Sequence, residues 1–291
     1  MREILPPKFA GASEASKKHP DINEDAFFIN ADAGIAGLFD GLGGYGHGEI
    51  ASKIARETIE IELSEIPENI KLEDLKKLMS DILKKASNDI LEQSKNNNFN
   101  QIGTTATVIK FWEGANDTRK AIIANVGDSR AYRLRNGKLE ALTEDDSIMK
   151  RLIDNGVVKD DNPKQIIKGK DVINTGLLSA DDAKKLDPNM NISIENIRRM
   201  MGQALGVHEN NNKNLKPNIT DVDIEEGDVL LLSSDGIHDN LTDAEIEKLL
   251  NSGSSEQKLS KSIVENASNI AKDTNNPHAK EDDKTAIIIK I

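Results

Sequence analysis

Five short clusters of carboxylates and small residues are the parts of this sequence that could do chemistry. They are Asn23-Glu24-Asp25, Asp40-Gly41-Leu42-Gly43-Gly44, Gly127-Asp128-Ser129-Arg130, Asp235-Gly236-Ile237-His238-Asp239 and Asp282-Asp283-Lys284-Thr285. Most of them end or begin an apolar run that reads as a strand. Carboxylates drawn together from such distant segments repel one another unless a hard cation lies among them, and an all-oxygen donor set favours magnesium or manganese over zinc. Asp40 closes one apolar run, and the glycine behind it lets the backbone turn sharply and approach a ligand. The Gly41 carbonyl is itself a candidate ligand. Asp235 repeats the arrangement after Val229-Leu230-Leu231-Leu232, with Gly236 behind it, and Asp282 stands just ahead of the last apolar run. A single Asp-Gly is most often a turn, but several strand-end acids in one chain point to a shared site.

The elements that must position these clusters can be read from periodicity and turn chemistry. Short strands are expected at 26–30 and 34–39, followed by amphipathic helices at 49–66 and 72–93. The middle of the chain reads as strands at 104–112, 120–126, 131–135 and 138–142, with Arg135-Asn136-Gly137-Lys138 as a hairpin turn. Strands joined by tight turns imply an antiparallel meander and not a parallel doubly wound sheet. A strand at 229–232, helices at 243–250 and 256–273, and a final strand at 285–291 complete the pattern. Residues 147–196 read as an irregular insertion or flap with a short helix at 180–186, too poor in apolar residues for a core of its own. One domain spanning 1–291 is expected, because clusters at positions 24 and 282 make most sense sharing one site.

Composition narrows the partners. The 291 residues are 37% hydrophobic and 30% charged, with a formal net charge of −12. That balance argues against a nucleic-acid surface, which would show a basic stripe, and against an anionic membrane as partner. There is no cysteine, which removes disulfides, thiolate metal sites and a cysteine nucleophile. The first residues carry no signal-peptide pattern and no apolar run reaches membrane-spanning length, so the expected location is the cytoplasm. The glycine-rich loop after Asp40 lacks both the Lys-Ser/Thr of a phosphate-binding loop and the spacing of a dinucleotide fingerprint. Ser129 and Arg130 are expected to be structural, with Arg130 paired internally.

The ordered set of motifs resembles the metal-dependent (PPM, type 2C) serine/threonine protein phosphatases, from about residue 11 to 291. The resemblance rests on Asn23-Glu24-Asp25-Ala26-Phe27, Asp40-Gly41-Leu42-Gly43-Gly44, Gly103-Thr104-Thr105-Ala106-Thr107, Val126-Gly127-Asp128-Ser129-Arg130, Leu142-Thr143-Glu144-Asp145, Gln203-Ala204-Leu205-Gly206, Ser233-Ser234-Asp235-Gly236 and Asp282-Asp283-Lys284-Thr285. The bacterial-style branch is the nearer likeness. The resemblance implies an α+β fold, a four-layer αββα sandwich of two central antiparallel sheets flanked by helices. It also implies two Mg²⁺ or Mn²⁺ ions, with Asp40 bridging, Glu24 and the Gly41 carbonyl on one, Asp235 and Asp282 on the other, and Asp25 behind a bound water. Asp128 would help form a third, weaker site with Asp235. The implied reaction is hydrolysis of phosphoserine and phosphothreonine by water activated between metals about 3.5–4 Å apart, without a covalent intermediate.

The same likeness implies phosphorylated Ser/Thr proteins as substrates, a cognate kinase acting on the same targets, and a monomeric enzyme. Two positions depart from the pattern. Where the family commonly has a phosphate-holding arginine four residues before the metal-binding glutamate, this chain has Pro20, with Lys18 and His19 as the available cations. Leu42 stands where many eukaryotic members have a histidine, which leaves His47 as the best placed histidine for proton donation. Two other readings remain open: a catalytically silent phosphoprotein-binding scaffold of the same fold, which would be expected to lack a metal carboxylate, and a hydrolase of small phosphate esters.

Overall fold

Three of the strands are apolar on both sides, which is what a strand buried on both faces requires. In the computed structural model they are β3 (Ile35–Phe39), β11 (Val229–Ser233) and β12 (Lys284–Lys290), and all but the last residue of β12 are buried. The structure describes residues 6–42, 46–99, 102–115, 118–146, 203–207, 215–273, 275–276 and 278–291, together with the backbone of 166–168 and 191–193. The remaining strands are β1 (Lys8–Glu14), β2 (Ala26–Asn30), β4 (Ala106–Glu113), β5 (Arg119–Val126), β6 (Arg130–Arg135), β7 (Lys138–Ala141), β8 (Ile166–Lys168), β9 (Asn191–Ser193) and β10 (Asn218–Asp223). The helices are α1 (Gly48–Ser64), α2 (Leu72–Asn96), α3 (Asp235–His238), α4 (Asp243–Leu250) and α5 (Glu256–Ala271).

Two five-stranded antiparallel sheets result, one in the order β1-β12-β11-β6-β7 and the other β10-β5-β4-β3-β2. Successive side chains of a strand point to opposite faces, so each sheet feeds two cores. Ala36 and Leu38 of β3, Leu230 and Leu232 of β11, and Ile287 and Ile289 of β12 meet between the sheets. Their neighbours Ile35 and Phe39 pack instead under α1 and α2, against Ala55, Ile59, Leu83 and Ile90. Leu231 and Ile288 turn to the other outer layer, against α3, α4 and α5 through Ile237, Ile246 and Ile263. Three stacked cores make four layers, helix–sheet–sheet–helix, as the resemblance implied.

The expected helix at 243–250 and strand at 26–30 have the observed bounds, and the other expected elements outside the flap lie within a few residues of theirs. Helix α4 begins at a capping box, with the Thr242 hydroxyl and the Glu245 side chain each accepting the other's backbone N–H. The meander of the middle segment divides: β2 to β5 follow one another in one sheet, and the chain then crosses into the other sheet at 127–129 for the β6–β7 hairpin. Strands β1 and β10 were not expected, nor was the β8–β9 pair inside the flap. Apart from that backbone pairing, the flap lies outside the described residues, as does its expected helix at 180–186. Among the described residues, no helix is long and apolar enough to cross a membrane.

Candidate metal centre

Strand register delivers the acidic clusters to one end of the sandwich. The start of β2 pairs with the end of β3 and the start of β4 with the end of β5. In the other sheet the starts of β6 and β12 pair with the end of β11. Glu24 and Asp25 precede β2, Asp40 follows β3, Asp128 lies on the crossover from β5 to β6, Asp235 opens α3 after β11, and Asp282 precedes β12. Both sheets therefore contribute to one site.

Asp40 lies at its centre. Burial raises its carboxyl well above the usual carboxylate range, and the charges of Asp25, Asp235, Asp128 and Asp282 raise it further. Burial likewise pushes Asp25 up to about 8, with Asp283 and Asp235 adding to the effect against hydrogen bonds from Thr285 and Ser234. Asp128 is pushed up to about 7 by burial and then by Asp235. Asp235 reaches only about 6, because the Lys280 ammonium opposes burial there. Glu24 is also raised, first by burial.

The donor set fits a hard divalent cation on three grounds. Its side chains offer only oxygen, the carboxylates are held close enough to raise one another, and one oxygen is orphaned. Asp25 Oδ2 accepts from the Ser234 hydroxyl at 2.9 Å, whereas Asp25 Oδ1 is buried with no hydrogen-bond partner among the described residues. A buried acceptor without a donor is costly, and a cation or its water satisfies it. Close backbone approach completes the Glu24 side. A side chain on Gly41 would begin 2.5 Å from the Gly48 carbonyl oxygen and 2.6 Å from that of Glu24, and one on Gly48 would meet Glu24 Oε1 at 2.8 Å.

Several of the remaining motifs prove to be scaffolding for these acids. The Thr105 hydroxyl accepts from the Asp40 backbone N–H at 2.9 Å, and the Thr104 hydroxyl donates to the Asp40 carbonyl at 2.9 Å. Thr105 Oγ1 also bonds Ser129 Oγ at 2.8 Å, so the Asp40 turn is tied to the Asp128 crossover. Asp283 accepts the backbone N–H groups of Ser16 at 2.6 Å and Glu24 at 2.7 Å, which docks the N-terminal loop onto the start of β12. Arg130 is internally paired as expected, its guanidinium gripping both oxygens of Asp145 at 2.7 and 2.6 Å.

The other candidates sit at the rim. Lys18 Nζ donates to the Glu281 carbonyl at 2.9 Å. His19 donates from Nδ1 to the Ile22 carbonyl at 2.8 Å and faces Glu24 at 3.9 Å and Asp283 at 3.7 Å. That carbonyl, then Asp283 and Glu24, raise its pKa against a lowering by burial. His47 caps α1 in a left-handed conformation, stacks on Phe99 at 4.4 Å and lies 3.6 Å from Glu49. The described contacts of His47 thus run to α1 and Phe99 and not to the carboxylates. His238 is half-buried, the loss of solvent holds it well below its ordinary pKa, and it bonds Ser233 Oγ at 3.1 Å.

Sequence reasoning missed Lys280 and gave Asp239, although within one of the clusters, no role. The Lys280 ammonium bonds Asp235, lies 2.9 Å from Asp239 Oδ2 and 3.4 Å from Asp282 Oδ2. Burial works to lower its pKa, but Asp235 and Asp239 outweigh that and hold it above the usual lysine range. Asp239 follows Asp235 by one helical turn, a spacing that places two side chains on one face. Nothing in a linear reading joins either to Lys280, which lies in a loop.

A four-layer sandwich with carboxylates from both sheets converging at one end is the architecture of a metal-dependent hydrolase of phosphate monoesters. The sequence matches the Protein phosphatase 2C family over residues 10–267, and the chain belongs to that family. It is 27% identical to the serine/threonine phosphatase Stp of Listeria innocua over 81% of this chain and 79% of that protein. It is 26% identical to the serine/threonine protein phosphatase PstP of Mycobacterium tuberculosis over 78% of this chain and 36% of that protein. Among solved structures, Stp1 of Staphylococcus aureus superposes with a TM-score of 0.71 at 22% identity, covering 99% of this chain and 96% of the other. The catalytic domain of PstP, solved with two manganese ions, superposes with a TM-score of 0.67 at 23% identity, covering 98% and 97%.

Proposed function

We infer that this chain is a metal-dependent protein phosphatase that hydrolyses phosphoserine and phosphothreonine. One observation carries the reading: carboxylates from five segments meet at one end of the sandwich, Asp40 among them raised by burial and by its neighbours' charges, with Asp25 Oδ1 left without a donor among the described residues. We assign Asp40 to the centre, Glu24 and the Gly41 carbonyl to one side, and Asp235 and Asp282 to the other. Asp25 orients from behind, and Asp128, next to Asp235, supplies a third and weaker position. Bound there, Mg²⁺ or Mn²⁺ ions supply Lewis acidity, lowering the pKa of a water and neutralising phosphate charge. The chain's own part is positional. Thr104 and Thr105 fix the Asp40 backbone, Ser234 orients Asp25, and the two sheets hold the carboxylates at fixed separation. Phosphoryl transfer depends on this kind of placement and electrostatics, which is why no Ser-His pair is needed.

Residues 1–291 act in this reading as one catalytic unit in the cytoplasm, monomeric, on proteins phosphorylated by a Ser/Thr kinase. Lys18 and His19 stand at the rim as candidate phosphate contacts, and His47 as the candidate proton donor. The full carboxylate set weighs against a silent scaffold. The test is hydrolysis of an aryl phosphate and a phosphothreonine peptide with Mn²⁺ and with chelator. Both substrates should turn over only with metal, and Asp40→Asn or Asp235→Asn should lower the rate about a thousandfold or more, matching several kcal/mol of transition-state stabilisation. Activity that survives chelation sinks the metal reading, and turnover of the aryl ester alone sinks the protein substrate.

A further inference from the structure

A cluster of carboxylates that takes up and gives back a divalent ion must be stable enough to fold before the ion arrives. Here the countercharge is already built in. The Lys280 ammonium lies among Asp235, Asp239 and Asp282, at 2.9 Å from Asp239 and 3.4 Å from Asp282. Among the described residues, no other side-chain cation is within ion-pair distance of the Asp235 or Asp282 carboxylate.

The root of this lysine is clamped. Its backbone N–H donates to Asn240 Oδ1 at 2.9 Å, and its carbonyl accepts from Asn240 Nδ2 at 2.9 Å. The buried Asn240 amide also donates to the Gly236 carbonyl at 2.8 Å, inside the turn that carries Asp235. Lys280 is therefore fixed to the Asp235 turn through its backbone, and its ammonium lies a four-carbon stem away from that anchor. The three carboxylates differ in depth: the side chain of Asp235 is 20% exposed, that of Asp282 38% and that of Asp239 43%. Asp239 is the outermost partner and the one not assigned to a metal.

We propose that Lys280 is an internal counter-ion of the carboxylate cluster, which holds Asp235 and Asp282 together before metal binds and must withdraw toward Asp239 for a divalent cation to enter. The proposal rests on the reading of Asp235 and Asp282 as a metal pair. A dication outcompetes an ammonium because it carries twice the charge and can coordinate oxygens directly. It nevertheless binds against the free energy of the ion pairs it breaks. Lys280 thus stabilises the metal-free fold and weakens the apparent metal affinity, so that occupancy follows the ambient ion concentration.

The test compares the parent chain with Lys280→Met, which keeps the stem and removes the charge. Mn²⁺ binding is measured by calorimetry, and thermal unfolding is followed with and without Mn²⁺. The variant should bind Mn²⁺ at least about fivefold more tightly, since loss of a nearby like charge strengthens the field at the site. Its metal-free melting temperature should fall, and the increment produced by saturating Mn²⁺ should grow. Should metal-free Lys280→Met fail to fold, Lys280→Gln supplies the same comparison with a hydrogen-bonding side chain. Mn²⁺ affinity within twofold of the parent, or weaker, overturns the proposal. So does unchanged Mn²⁺ affinity with weakened inhibition by inorganic phosphate, which would make Lys280 a phosphate contact. A parent chain that binds Mn²⁺ but hydrolyses no phosphate ester fails the phosphatase reading alone, because the displacement remains measurable.

Discussion

At the scale of single residues, the site depends on atoms that cannot be enlarged or exchanged. A side chain on Gly236 would begin 1.9 Å from the Asp283 carbonyl oxygen, well inside contact distance and against backbone that cannot yield alone. Gly236→Ala should destabilise the chain by about 3 kcal/mol or more, at the upper end of overpacking costs, as read by denaturant unfolding. A wild-type midpoint would show that the α3 turn and the start of β12 move apart freely. Arg130 makes a different demand. Its two-pronged grip on Asp145 needs a planar fork, so Arg130→Lys should lose about 1–2 kcal/mol while leaving Mn²⁺ affinity within a few-fold. A collapse of metal binding in that variant would mean that Arg130 acts on the site directly. The carboxylates themselves could be found in the sequence because their types recur at strand ends. The Lys280 ion pairs and the Thr105–Ser129 bond could not, because each is created by contact between segments far apart in the chain.

At the scale of elements, β12 is the clearest case of sequence reporting structure. Ala286-Ile287-Ile288-Ile289 is apolar without alternation, and the strand lies between β1 and β11 with one face in each of two cores. Ile287→Ala and Ile288→Ala should therefore each cost about 2–5 kcal/mol, although their side chains point in opposite directions. Tolerance of either one, measured by urea unfolding, would mean that one face of the first sheet is open. Strands β1 and β10 escaped notice for opposite reasons. In β1, Ala10-Gly11-Ala12-Ser13 has little side chain to pattern, and its extended form is imposed by pairing with β12 from Lys8 opposite Lys290 to Glu14 opposite Lys284. In β10, an edge strand, the polar side of the pattern dominates, and Asp221 lies 2.9 Å from Lys120 of β5 and also pairs with Lys76 of α2. Edge strands and small-residue strands draw their order from neighbours, which is information a local window does not contain.

At the scale of the whole molecule, the carboxylate cluster sets how stability responds to pH. In the metal-free chain Asp25, Asp128 and Asp235 are pushed up to about 8, 7 and 6, and Asp40 also lies well above its ordinary value. An unfolded chain ionises these groups near pH 4, so between about pH 4 and pH 8 the folded state holds more protons than the unfolded one. Stability must then fall as pH rises through that window. Metal-free protein should melt at least about 3 °C lower at pH 8 than at pH 6, and Mn²⁺ should restore more of the loss at pH 8. A melting temperature that rises with pH would show that the cluster does not dominate the balance.

The tie between the two sheets has a further consequence for the nascent chain. Strand β12 occupies the interior of its sheet, and Asp282 comes just before it, whereas Glu24 and Asp40 emerge from the ribosome hundreds of residues earlier. Until residues 284–290 are free to insert between β1 and β11, the first sheet lacks the strand that joins those two, and β1 has no strand partner among the described residues. A growing polypeptide can thus assemble the α1–α2 half of the molecule before the acid ahead of β12 joins those of the other sheet. The carboxylate cluster is thus completed only when β12 takes its place in the first sheet.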